Sequence, residues 1–200
     1  MANYYTRLAR ELCKLPDVAQ HLAYLDLNSA EGQEYWAAMN LSGDYASACH
    51  HQIHKKIARS VGAQVLGMVE NHHNFAWKEM YNGQEVIVHR KGATPAAKGV
   101  LGIIPGSMTA PGYIVEGNGI ANSIQSASHG AGRKMSRTAA KNNFNQKMLD
   151  EKLNEAGVHL IGGDIDESPM AYKDINEVMQ YQNELVNIIG MFKPKVVRMA

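Results

Sequence analysis

The sequence predicts an α+β fold, a mixed strand-rich centre flanked by helices, and three observations carry that expectation. Apolar residues recur with a helical period before residue 62, then alternate with a period of two around residues 85–90. Ten of the eighteen glycines fall between Gly83 and Gly132, where backbone shape matters most. Helical and strand-like segments are interspersed, without a regular strand–helix alternation.

Each element has its own local signal. Ser29 can cap a short helix through Met39, with Glu31 in its first turn. A second helix is expected from Asp44 to Val61, where Cys49, Ile53 and Ile57 recur at i+4 and Gly62 stops it. The apolar segment 64–70 runs into Asn71-His72-His73-Asn74. Asn82-Gly83 is a hairpin turn, and Glu85–Arg90 alternates as a strand. Gly99–Pro105 and Tyr113–Val115 read as short apolar strands separated by a GSMTAPG turn. Residues 138–155 read as helix, and Val158–Ile161 as a strand turned by Gly162-Gly163. Asp174 and Glu177 form a D-x-x-E box opening a helix whose apolar face runs from Ile175 through Ile189, ended by Gly190 and Pro194.

Composition narrows the function classes. Two hundred residues suit a single domain over 1–200, and such a chain buries about 70% of its unfolded surface. Apolar residues make up 45% and charged residues 20%, which excludes a disordered acidic tail, a collagen-like repeat and a coiled coil. A net charge of +1 supplies no global basic field for nucleic acid or membrane. Cys13 and Cys49 make neither a disulfide framework nor a zinc spacing, and the N-terminus lacks a signal-peptide apolar core. A soluble, cytoplasmic protein in a reducing setting is expected.

The most informative segment is Ser126–Arg137, SASHGAGRKMSR. Small residues let backbone N–H groups approach a phosphate, and guanidinium groups bind its oxygens as a fork. His129 held there could act as base, metal ligand or nucleophile; the alternative is a glycine-rich turn with a surface histidine. Arg133 and Arg137 would share a face if a helix started at that point. Pro105-Gly106-Ser107-Met108 follows an apolar strand, a place where ligands are often held, or is an ordinary turn. His72 and His73 are adjacent and point apart, so at most one readily joins a given metal. His50 and His54 are spaced i,i+4 but lack the glutamate of a zincin helix, and with His51 they read as a solvated face. Arg90-Lys91 either contacts phosphate or ends a solvated strand, and His89 reads as structural. Tyr172 stands at a helix entrance and could cover a ligand.

In order, HHN (72–74), HRKGA (89–93), IIPGSM (103–108), GYIV (112–115), SASHGAGRKMSR (126–137) and AYKDI (171–175) resemble the RtcB-type RNA ligases. The likeness runs from about His21 to the C-terminus and covers the C-terminal half of a usual family member. It implies GTP and Mn2+ as cofactors, and RNA as partner, either tRNA halves or broken ends. Family members join a 3′-phosphate or 2′,3′-cyclic phosphate end to a 5′-hydroxyl end through a guanylylated histidine.

Carried over by position, the resemblance makes His129 the nucleophile and His73 a manganese ligand. Asn74, Pro105, Gly106, Ser107, Met108, Gly130, Ala131 and Gly132 would line the nucleotide site with His73 and His129, and Tyr172 would pack near the base. Arg133 and Arg137 are the expected RNA-phosphate contacts. Three departures stand out: the family's Asp/Cys metal motif has no counterpart, Gly112 replaces a serine that contacts guanine, and Met199 replaces a lysine at the base. The expectation is therefore a ligase part that works only with a separately encoded N-terminal half, or else a truncated gene product. A non-catalytic RNA- or nucleotide-binding remnant and a structural subunit of a full-length ligase are the alternatives.

Overall fold

The computed structural model describes residues 1–199, and the chain divides into two compact units, Met1–Leu66 and Gly67–Ala200. The first is helical. Helix α1 (Ala2–Leu12) and helix α2 (Ala30–Ser60) flank a 3-10 turn at Asp17–Leu22. The Ser29 hydroxyl accepts the Gly32 N–H at 3.0 Å and starts α2 as expected. The two helices expected between Ser29 and Val61 are one. No proline interrupts Met39–Asp44, and Asn40 and Ser42 donate back to the Trp36 and Ala38 carbonyls at 2.7 and 2.9 Å. Polar side chains that would otherwise favour a turn are thereby absorbed into the helix. Tyr5 docks α1 onto α2 by donating to Glu34 and packing edge-on against Tyr35.

The second unit carries the strands. β1 (Asn74–Tyr81) and β2 (Gln84–Lys91) form an antiparallel hairpin in register from Asn74↔Lys91 to Tyr81↔Gln84. Asn82 and Gly83 close it with φ of 50° and 79°, the paired positive values that a type I′ turn needs. β3 (Ala93–Pro95) pairs with β6 (Ser126–Ser128). β4 (Leu101–Pro105), β5 (Gly112–Gly117) and β8 (Val186–Phe192) form an antiparallel sheet in the order β4-β5-β8. β7 (His159–Ile161) runs parallel to β9 (Val196–Arg198). Helices α3 (Arg137–Asn143), α4 (Gln146–Ala156) and α5 (Ile175–Gln180) complete the unit.

Two expectations are corrected here. The helix over 138–155 is two, because the Asn145 side chain caps a new start by accepting the Met148 N–H. The helix opened by Asp174 ends at Gln180, and Val186–Phe192 is a strand. Its run of Val, Ile and Ile suits a pleated surface, and pairing with β5 outweighs the helical spacing of the same apolar residues.

Ile104, Tyr113, Val115, Ala127, Ala131, Ile175, Met179 and Val186 belong to one buried cluster. Met108, Leu149, Leu153 and Val158 form a second. Among the described residues, no helix is long and apolar enough to cross a membrane.

Candidate functional site

His129 sits just beyond β6, between two buried anchors, Ala127 and Ala131, which are 4% exposed each. Its backbone N–H bonds the Gly92 carbonyl at 3.4 Å, and the Gly92 N–H bonds the His73 carbonyl at 3.3 Å. That ladder places the two imidazoles in a stack, 5.4 Å between centroids and 30° between planes. His72 turns the other way and stacks on Phe75 at 5.1 Å, as expected for adjacent side chains. Asn74 opens β1 directly after this pair. Upstream, the Asn71 amide bridges Thr94 and the Ile103 N–H, tying the HHN segment to β3 and β4.

His129 Nδ1 is buried and has no hydrogen-bond partner among the described residues. A buried polar atom left unpaired costs about 1–3 kcal/mol, so its retention calls for a ligand or a functional role.

The second half of the site is the PGSM turn after β4. Ala131 donates to the Pro105 carbonyl at 3.0 Å, and a Cβ on Gly130 would lie 3.0 Å from that oxygen. The HGAG loop and the PGSM turn therefore touch backbone to backbone. At Gly106 a Cβ would stand 2.5 Å from the Pro111 carbonyl, so this turn has no room for a side chain. Pro105, Gly106, Ser107, Met108 and Tyr172 line a cavity of about 270 Å³, joined by Glu167, Pro194, Val197 and Met199. Residue 112 lies outside it. The Phe192 ring covers Gly112 where a Cβ would be, so a serine there would displace the ring.

Tyr172 is held in place from several sides. It forms an isolated β-bridge with Arg133, whose guanidinium lies 5.2 Å from the ring centroid and bonds the Asp166 carbonyl at 2.6 Å. Its hydroxyl donates to Glu167. Burial first, and that carboxylate second, raise the Tyr172 pKa above the usual phenol value. Arg133 and Arg137 do not share a helix face, because the Ser136 hydroxyl caps a helix that begins only at Arg137. Instead both converge on the acidic pair Asp166-Glu167. Arg137 binds Asp166 at 2.5 Å and also pairs with Glu167, while Arg133 reaches Glu167 at 3.5 Å. These carboxylates, the Asp166 hydrogen bond first, hold the Arg137 pKa above its ordinary value.

The structure thus brings His129 to His73, the HGAG loop to PGSM, and PGSM to Tyr172. Glu167 is a cavity residue that the sequence reading missed; its signal was an acidic pair just upstream of Tyr172 that could answer Arg133 and Arg137. His50, His51 and His54 lie on the exposed surface of α2. Among the described residues no group of three or more His, Cys, Asp or Glu could hold a metal ion. His73 alone does not make a manganese site. A nucleotide does fit the residues present: two backbone-lined turns meet beside an imidazole with an unpaired buried nitrogen.

Comparison with known sequences agrees with this geometry. A family model described as tRNA-splicing ligase RtcB matches residues 1–200. The RNA-splicing ligase RtcB of Escherichia coli is 44% identical over 68% of this chain and 34% of its own length. The tRNA-splicing ligases RtcB of Nanoarchaeum equitans and Archaeoglobus fulgidus are 30% and 34% identical over 98% and 83% of this chain. Those alignments cover 48% and 41% of the two relatives, so the chain spans between a third and a half of the proteins it matches. The order of its motifs, the meeting of HGAG with PGSM and the match along its full length have one explanation: the chain belongs to the RtcB tRNA-splicing ligase family.

Proposed function

We propose that this chain supplies the nucleotide-transfer part of an RNA ligase, with His129 as the residue that carries guanylate. The observation behind this reading is the His129 imidazole: one buried, unpartnered nitrogen, a second imidazole stacked on it, and a backbone cradle alongside. GTP would supply an activated phosphoanhydride. A ring nitrogen of His129 attacks its α-phosphorus, the N–P bond forms and pyrophosphate leaves. An oxygen of the RNA 3′-phosphate then takes the guanylate, breaking the N–P bond. Finally the RNA 5′-hydroxyl attacks the activated 3′-phosphate, loses its proton and releases GMP.

This chain's residues would contribute position and charge. The His129, Gly130 and Ala131 N–H groups are already bonded within the protein, so the Gly132 N–H and the Ser107 hydroxyl are the donors that would meet phosphoryl oxygens. His73 fixes the imidazole's orientation and could give one ligand to manganese, whose other ligands would come from outside these residues. Tyr172 and Met199 wall the space for the base, which residue 112 cannot read. Arg137, with 65% of its side chain exposed, could share its guanidinium between the acidic pair and an RNA phosphate. Arg133, at 22%, serves Tyr172.

The test is intact mass after incubation with GTP and manganese, alone and with a supplied N-terminal half of a family member. We expect an adduct of one guanylate in the complemented sample and none in His129→Ala. A second reading, nucleotide or RNA binding without catalysis, is favoured by the absence of a three-ligand metal group among the described residues. It predicts binding with no adduct under either condition.

A further inference from the structure

The hairpin that starts at the site carries a row of rings which the reaction above does not use. His72 stacks on Phe75 at 5.1 Å with 26° between planes, and Phe75 meets Trp77 edge-on at 5.3 Å. Phe75 and Trp77 are two apart on β1 and therefore share a face, with Tyr81 on the same face at the tip. Tyr81 is 39% exposed. Neither Phe75 nor Trp77 belongs to either buried cluster; both are half-buried.

Arg90 stands directly opposite Phe75 in the ladder and so shares the face of the rings. Arg90 is 3% exposed, with its guanidinium 5.0 Å from the Trp77 ring centroid. It is fixed by Glu79 at 2.6 and 2.9 Å, by the Ser126 hydroxyl at 2.8 Å and by the Ile124 carbonyl at 2.9 Å. A buried cation with four hydrogen bonds, packed against one tryptophan, restricts that ring. The same Ser126 opens β6, which leads to His129 within three residues. Arg90 thus ties the ring row to the strand that precedes the candidate nucleophile. Exposed Lys91 stands across from Asn74, at the end of the hairpin nearest His73.

Half-buried rings in a row, on the hairpin face that also holds Arg90, suit unpaired bases. Every base has a π-face, so stacking tolerates any sequence. We propose that the His72–Phe75–Trp77 face is a stacking platform for the unpaired bases of a single-stranded RNA end whose terminal phosphate lies at His129. The proposal rests on the RNA-ligase reading and names the part of this chain that holds the substrate strand.

The chain has two tryptophans, Trp36 and Trp77, so Trp36→Phe leaves Trp77 as the sole reporter. That full-length variant is titrated with a 3′-phosphorylated single-stranded dodecamer RNA, and with the same strand as a blunt duplex, while tryptophan emission is followed. Saturable quenching by the single strand and at least tenfold weaker response to the duplex are expected. By gel shift, Trp77→Leu should weaken single-strand binding by roughly tenfold. Trp77→Phe, which keeps a ring, should stay within about threefold, and circular dichroism should show both variants folded.

Single-strand binding with no change in Trp77 emission would overturn the platform, as would equal quenching by duplex. Quenching without any guanylate adduct on the wild-type chain in complemented samples would keep the platform and remove the ligase reading. An adduct without quenching would do the reverse.

Discussion

The two units of this chain are stabilised in different ways. In Met1–Leu66, Tyr5 and Ala9 are the buried apolar side chains among the described residues, and Ile53, Ile57 and Val61 stand 52–70% exposed along α2. In Gly67–Ala200, two apolar clusters are closed by residues from β4, β5, β6, β8, α4 and α5. The helical unit rests on local signals: a serine cap, back-bonded polar side chains and one tyrosine contact. The strand-rich unit rests on long-range burial, and Ala127, Ala131 and Met108 of the site's own loops are part of it. Candidate chemistry thus stands on the region with the deeper core, which keeps the loops of the candidate site rigid.

The largest effects should expose that contrast. Ile104→Ala removes a fully buried side chain from the three-stranded sheet and should lower stability by about 3 kcal/mol. Ile57→Ala, at a side chain 56% exposed, should change it by less than about 0.5 kcal/mol. Urea unfolding of both variants, followed by circular dichroism, checks the pair; equal losses would contradict the contrast.

A smaller loss is expected at the site's backbone contact. Gly106→Ala pushes a methyl group toward the Pro111 carbonyl and should cost about 2 kcal/mol. The PGSM turn should shift with it, so nucleotide affinity should fall more than stability alone explains. Calorimetric titration with GTP, compared against the unfolding midpoint, separates the two effects.

The smallest effect concerns pH. Lys141, binding at 2.5 Å, and then the Ile165 N–H hold the Asp164 carboxyl below its ordinary value of 3.8. A lowered carboxyl pKa means stability that is present above pH 3.8 and is lost as the pH falls through the lowered value. Asp164→Asn should therefore reduce the melting temperature slightly at pH 7 and not at all at strongly acid pH. A difference that grows on acidification would reverse the sign argued here.

The same contrast explains what could be read in advance. Signals within a few residues were legible: the Ser29 cap, the Asn82-Gly83 turn, the Asp174 start. The motif set 72–74, 103–108 and 126–133 was legible as a group, and the structure joins its members through Gly92, Pro105 and Ala131. Long-range pairing was not legible. Val186, Ile188 and Ile189 fit a helix face and a strand equally well, and only β5 decides between them. Arg133 and Arg137 looked like neighbours on a helix, whereas their partners, Asp166 and Glu167, lie about thirty residues away. Glu167 entered the cavity by the same route, through Tyr172 and not through any local pattern.

The central claim is that His129 carries the guanylate. Its most direct test is proteolytic mapping of the adduct under alkaline conditions, after incubation of the complemented chain with GTP and manganese. One guanylate is expected on the peptide containing SASHGAGR, at the histidine. A guanylate on His73, on a lysine or on the supplied half would contradict it.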